Sequence, residues 1–64
     1  MLLSNRELQV LQLIGKEFTT EQIAEFLHIS KATIESHRRS MFKKLEVKNM
    51  IGLIKYGIKE GIVK

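Results

Sequence analysis

The segment that most constrains the fold is residues 19–39, whose pattern predicts a short helix over about residues 20–27, a tight turn and a longer helix. Thr19 and Ser30 are suited to cap the two helices, because a side-chain hydroxyl accepts from an unpaired N–H of the first turn. Gln22 follows Thr19 at the spacing of a capping box, in which each side chain satisfies the other residue's backbone N–H. Two capped helices in such close succession predict a helix-turn-helix unit.

The longer helix, predicted over residues 31–45, has one apolar face and one polar face. Ile34, Met41 and Leu45 are separated by seven and four residues, so they share the face that packs inward. The opposite face has small side chains near its start and basic ones toward its end: Ala32, Glu35, Ser36, Arg39 and Lys43. Short side chains where a helix comes close to a duplex, with long donors farther along, suit the DNA major groove.

The distribution of charge supports the same interpretation. The chain has a net charge of +4, but residues 1–30 hold two basic and four acidic side chains, whereas residues 31–64 hold nine basic and three acidic ones. Such a basic block is typical of a phosphate-binding surface, whereas a face that only aids solubility mixes the two signs more evenly. We therefore expect sequence-independent attraction to DNA phosphates from Lys31, Arg38, Lys43, Lys44 and Lys48.

Length and composition limit the remaining possibilities. Sixty-four residues without proline or cysteine predict a single all-α domain, residues 1–64, with no disulfide or cysteine-based zinc site. No apolar run is long enough for a membrane span and no signal peptide is evident, which predicts a cytoplasmic protein. His28 and His37, the only histidines, lack the spacing of a metal pair, and no nucleophile–base set or glycine-rich phosphate loop occurs. We expect no enzyme, metal or cofactor.

Two further helices complete the predicted fold. The first is capped by Ser4 or Asn5 and ends near Gly15, and the fourth covers about residues 49–60. The fourth helix has more apolar surface than a small core can bury. If Leu53, Ile54 and Gly57 face inward, an apolar strip of Met50, Ile51 and Ile58 remains exposed and predicts symmetric self-association. The alternative is a small core that wraps around this helix.

Together these residues resemble the LuxR-type (NarL/FixJ-type) helix-turn-helix domain over nearly the whole chain. No single motif is specific, but the set is. It consists of Leu3-Ser4-Asn5-Arg6-Glu7, Val10-Leu11-Gln12-Leu13-Ile14, Thr19 with Ile23-Ala24, Leu27-His28-Ile29-Ser30, Thr33-Ile34-Glu35-Ser36-His37, Lys44-Leu45-Glu46-Val47 and Gly61-Ile62.

The resemblance implies a four-helix DNA-binding domain of a bacterial transcription regulator, such as the C-terminal output domain of a response regulator. It implies that helix three reads base edges through Glu35, Ser36 and Arg39, and that helix four pairs two domains on DNA. It also implies that residues at or near the DNA backbone include Thr20, Thr33, His37 and Lys43. Arg39 is the strongest candidate for a bidentate contact with guanine.

The chain departs from the family pattern at four positions, one of which is Thr20, where the family usually has asparagine or a similar residue. Glu17 and Glu46 stand where the family has glycine, so a glutamate would have to adopt a left-handed conformation there. Met50 replaces a frequent arginine near the start of helix four, which adds to the predicted apolar strip.

Two alternatives stay open at the level of sequence. One is a promoter-reading domain like that of a sigma factor, which would need RNA polymerase as a partner. The other is a protein-interaction module that uses helix four and has a basic face only for solubility.

Overall fold

The computed structural model describes residues 2–64, which form four helices and no strand. The helices are α1 (Asn5–Gly15), α2 (Thr20–Leu27), α3 (Lys31–Leu45) and α4 (Met50–Lys59). The predicted all-α helix-turn-helix fold is therefore confirmed, and the predicted bounds of α2 and α3 agree with the structure. Helix α4 is one residue shorter at each end than predicted, because Asn49 and Glu60 cap it rather than belong to it.

Each helix begins at a side-chain cap. The N-cap residues are Ser4, Thr19, Ser30 and Asn49, and each accepts a hydrogen bond from a backbone N–H of its own first turn. The predicted capping box at Thr19 is present: the Gln22 N–H donates to Thr19 Oγ1 at 3.1 Å, and the Thr19 N–H donates to Gln22 Oε1 at 2.8 Å. These caps explain why the helix starts could be predicted closely.

The helices also end in a common way, with one residue in the left-handed conformation. These residues are Glu17, His28, Glu46 and Gly61, with φ angles of 66°, 58°, 55° and 75°. After α1, the N–H of Phe18 donates to Leu13 O and that of Glu17 to Ile14 O, at 3.1 and 2.9 Å, the paired bonds of a Schellman motif. The left-handed conformation predicted for Glu17 and Glu46 is confirmed.

The core lies where α1 and α3 meet α2 and α4. Its fully buried side chains come from all four helices and include the predicted inward residues of α3, Ile34 and Met41, while Leu45 is half-buried. The chain after α4 folds back over the core. A Cβ at Gly57 would lie 2.6 Å from Val63 Cγ2, so the glycine allows this close approach.

The core thus fixes the orientation of α3, with its apolar face inward and its polar face toward solvent. None of the helices within residues 2–64 combines the length and the apolar character needed to cross a membrane.

Candidate nucleic-acid interface

The outward face of α3 is open along its length. Ala32, Glu35, Ser36, Arg39 and Lys43 are all exposed, as the sequence predicts. Their exposure follows from the burial of Ile34 and Met41, which fixes the rotation of α3 about its axis. The three side chains predicted to read base edges therefore lie on one accessible surface of a single helix.

A hydrogen-bond network connects this surface to the start of α2. Nη1 of Arg38 donates to Glu35 Oε1 at 2.8 Å, and also to Thr20 Oγ1 at 3.0 Å. Glu35 and Arg38 are one turn apart on α3, whereas Thr20 is the first residue of α2. The structure thus brings together one predicted base-reading residue and two predicted backbone-contacting residues.

Most of the other residues predicted to contact the DNA backbone lie on the protein surface. Lys31, Thr33, Lys43 and Lys48 are exposed, while His37 is half-buried. The Thr33 hydroxyl lies 2.8 Å from the Ser30 hydroxyl, and the backbone N–H of Thr33 donates to Ser30 Oγ at 3.1 Å. These two residues therefore fix the first turn of α3.

Lys44 differs from the other predicted phosphate contacts. Its ammonium nitrogen lies 2.7 Å from Glu7 Oε1, in an ion pair that joins α3 to α1. The opposite charge of this carboxylate partly offsets the lysine charge. Lys44 is therefore primarily a structural residue in the isolated domain.

Glu7 is a buried charged residue that the sequence analysis did not single out. It is 2% exposed, and its Oε1 accepts both from Lys44 and from the Ser4 N–H, the latter at 2.8 Å. Burial raises the pKa of the Glu7 carboxyl, but hydrogen bonds from Lys44, Ser4 and Ser40 outweigh burial and lower the pKa to about 2. The capping-box spacing of Ser4 and Glu7 could have identified the local bond, but not the partner on α3.

The apolar strip of α4 is narrower than predicted. Ile51 and Ile58 are 67% and 59% exposed, whereas Met50 is half-buried and packs against the core. The predicted exposure of Met50 is wrong, because the core residues against which it packs cover part of its side chain. The predicted inward residues Leu53 and Gly57 are buried.

An exposed aromatic residue on α2 was also missed. Phe26 is 63% exposed, and its ring meets that of Phe18 edge to face, with 5.9 Å between the centroids. Its position beside the buried Ile23 and Ala24 gave no indication of this exposure.

Comparison with known proteins identifies the family of this helix-turn-helix chain. The model for bacterial regulatory proteins of the luxR family matches residues 1–56. The chain belongs to the luxR family. Membership supports DNA-binding transcription regulation without an enzymatic activity, and it favours the LuxR-type interpretation over the sigma-factor-like one.

Similar proteins of this family include response regulators. The chain is 45% identical over 60 residues to the uncharacterized response regulatory protein YgeK of Escherichia coli, covering 94% of this chain and 41% of that protein. It is 37% identical over 62 residues to the oxygen regulatory protein NreC of Staphylococcus carnosus, covering 97% of this chain and 29% of that protein. The luxR-family chain thus spans less than half the length of these relatives.

Proposed function

We propose that this luxR-family domain binds double-stranded DNA sequence-specifically, with α3 in the major groove. The observation that carries the proposal is the open polar face of α3, which presents Glu35, Ser36 and Arg39 together. An α-helix fits the major groove, where every base pair shows a distinct pattern of donors and acceptors. The basic residues around this face supply attraction to the phosphates on either side.

The three base-reading side chains have different roles in this proposal. Arg39 donates two hydrogen bonds to O6 and N7 of a guanine, which discriminates against other bases by about 1–3 kcal/mol. Glu35 accepts from the N4 amino group of a cytosine. Ser36 is short and lets the helix backbone come close to the bases.

The flanking residues contact the DNA backbone and position α3. Contacts to phosphate come from Thr20, Lys31, Thr33, His37, Arg38, Lys43 and Lys48. Lys44 has a smaller role than its charge suggests, because its ammonium group is engaged by Glu7.

Two copies of the domain pair through α4 when they bind adjacent half-sites, which lie about one helical turn apart. Ile51 and Ile58 form the apolar centre of this contact. Because the similar proteins named above are regulatory proteins of greater length, we propose that the domain is the output domain of a cytoplasmic response regulator.

Selection from a pool of randomised duplexes tests the proposal. The chain is expected to enrich a defined sequence, and its affinity for that duplex should fall steeply as salt increases. Binding to a random duplex should be weaker by about a thousandfold or more. A chain that enriches no sequence and shifts no duplex at low ionic strength is not a DNA-binding domain.

A further inference from the structure

The shared nitrogen of the Arg38 network has a consequence for base recognition. Nη1 of a guanidinium carries two hydrogens, and here one is directed to Thr20 Oγ1 and the other to Glu35 Oε1. One side chain therefore fixes both the carboxylate of a base-reading residue and the hydroxyl of a backbone-contacting residue. We infer that Arg38 is a positioning residue that sets the base preference of the domain through Glu35. This inference rests on the proposed function.

The physical reason is the charge of Glu35. A free carboxylate that enters the major groove is repelled by the phosphates on both sides. The Arg38 guanidinium offsets that charge and holds Oε1, so Oε2 is left to accept from a base amino group. Arg38 thus makes the approach of Glu35 to a cytosine favourable and limits the positions the carboxylate can take.

The ion pair stabilises the free domain only slightly. The Glu35 side chain is 49% exposed and that of Arg38 is 25% exposed, and exposed pairs of this kind contribute little to folding. When the surface meets DNA, water is displaced and the same pair becomes stronger. The effect of Arg38 is therefore expected in DNA recognition more than in stability.

Lysine cannot replace arginine in this network. The planar guanidinium places the two hydrogens of Nη1 in fixed directions, whereas a lysine ammonium is a mobile point charge. Arg38→Lys keeps the positive charge near the phosphates but loses the fixed geometry. This substitution therefore separates positioning of Glu35 from simple attraction to the DNA backbone.

The test measures base preference at each position of a duplex selected from a randomised pool, using a set of single-base variants. Glu35→Gln should abolish the preference at one position, which is roughly tenfold in the unaltered chain. Arg38→Lys should reduce the preference at that same position to about twofold or less, with the other positions unchanged. The double variant should be no worse than Glu35→Gln alone, because the two residues act as one unit.

Lys43→Ala is the matched control. Lys43 is exposed on the same helix and is not one of the three residues of the Arg38 network, so its loss should weaken all duplexes equally. Thr20→Ala should lower the base preference at the Glu35 position to a value between those of the unaltered chain and Arg38→Lys. Thermal unfolding followed by circular dichroism should show Arg38→Lys to be folded.

Two results would overturn the inference. In the first, Arg38→Lys lowers the affinity for every duplex by the same factor and leaves the base preference at the Glu35 position unchanged, which would make Arg38 a phosphate contact only. In the second, Arg38→Lys changes the base preference as much in the Glu35→Gln variant as it does in the unaltered chain. If the unaltered chain enriches a sequence, these failures leave the proposed function intact; if it enriches none, the proposed function fails first.

Discussion

At the scale of single residues, Glu7 shows how a small domain accommodates a buried charge. Its carboxylate accepts from the Ser4 N–H and from Lys44, so it caps α1 and ties that helix to α3 with one side chain. A buried carboxylate without such partners would be strongly destabilising. The ion pair therefore matters for stability even though its lysine lies at the edge of the proposed DNA surface.

The low pKa of Glu7 predicts that the domain loses stability in acid. Because the folded pKa is about 2, against an ordinary value of 4.5, the contribution is present above pH 4.5 and is lost as pH falls toward 2. It amounts to about 3 kcal/mol at neutral pH. Glu7→Gln should lower the free energy of unfolding at pH 7 by roughly that amount and flatten its dependence on pH below 4.5.

Urea unfolding at several pH values measures this effect. Glu25→Gln is the control, because Glu25 is exposed on α2, and its profile should follow that of the unaltered chain. An unchanged pH dependence in Glu7→Gln would show that another carboxyl is responsible.

Replacing the two left-handed glutamates by glycine should raise the stability of the domain, whereas Glu7→Gln lowers it. Glu17 and Glu46 have φ angles of 66° and 55°, a conformation that costs a residue with a Cβ about 1–2 kcal/mol. Glycine avoids this cost but is more flexible in the unfolded chain, so Glu17→Gly and Glu46→Gly should each stabilise by about 0.5–1 kcal/mol. Thermal unfolding should show a rise of a few degrees for each.

A glycine inside a helix provides the contrast. Glu25→Gly changes the same residue type within α2 and should destabilise by about 1 kcal/mol. If all three substitutions lowered the midpoint, the left-handed conformations would not be the source of strain.

At the scale of helices, the sequence predicts what is local and misses what depends on the assembled core. The bounds of α2 and α3 follow from Thr19 and Ser30, whose capping bonds span three residues. The outward face of α3 follows from the spacing of its apolar residues. The bonds from Arg38 to Thr20 and from Lys44 to Glu7 join residues 18 and 37 positions apart, so no helical periodicity indicates them.

The same distinction applies to α4. The inward position of Leu53 follows from helical spacing, but the partial burial of Met50 depends on how the first turn packs on the core. Phe26 is apolar yet exposed, although its ring meets that of Phe18. Hydrophobic character alone therefore does not predict that Met50 is partly buried and Phe26 exposed.

The outward face of α3 predicts two different kinds of DNA-binding defect. Arg39→Ala should cost about 1–3 kcal/mol on the selected duplex and relax the preference at one position, because it removes a base contact. Lys43→Ala should weaken all duplexes alike and reduce the salt slope by about one unit, because it removes a phosphate contact. Binding titrations on selected and random duplexes at several salt concentrations measure both effects. Equal losses from Arg39→Ala on both duplexes would contradict the base-reading role.

At the scale of the whole molecule, the proposed DNA surface and the apolar strip belong to different helices. Helix α3 presents the polar and basic face, whereas Ile51 and Ile58 are exposed on α4. A domain can thus use one surface for DNA and another for a second copy. In a two-fold arrangement the same α4 residues of both copies meet, and inverted half-sites match that symmetry.

The small size of the α4 strip predicts that pairing depends on DNA. Two isoleucines per copy bury far less than the roughly 1,200 Å² typical of stable interfaces, so the free domain should be monomeric. Adjacent half-sites raise the effective concentration of the second copy and make a weak contact sufficient. Ile58→Glu should therefore leave binding to one half-site unchanged and reduce cooperative binding to two half-sites by about tenfold, since it places a charge at the apolar centre.

Sedimentation and titration on one-site and two-site duplexes measure this loss of cooperativity. Leu2→Glu, which alters another exposed apolar residue, is the control. Unchanged cooperativity in Ile58→Glu would rule out α4 as the pairing surface.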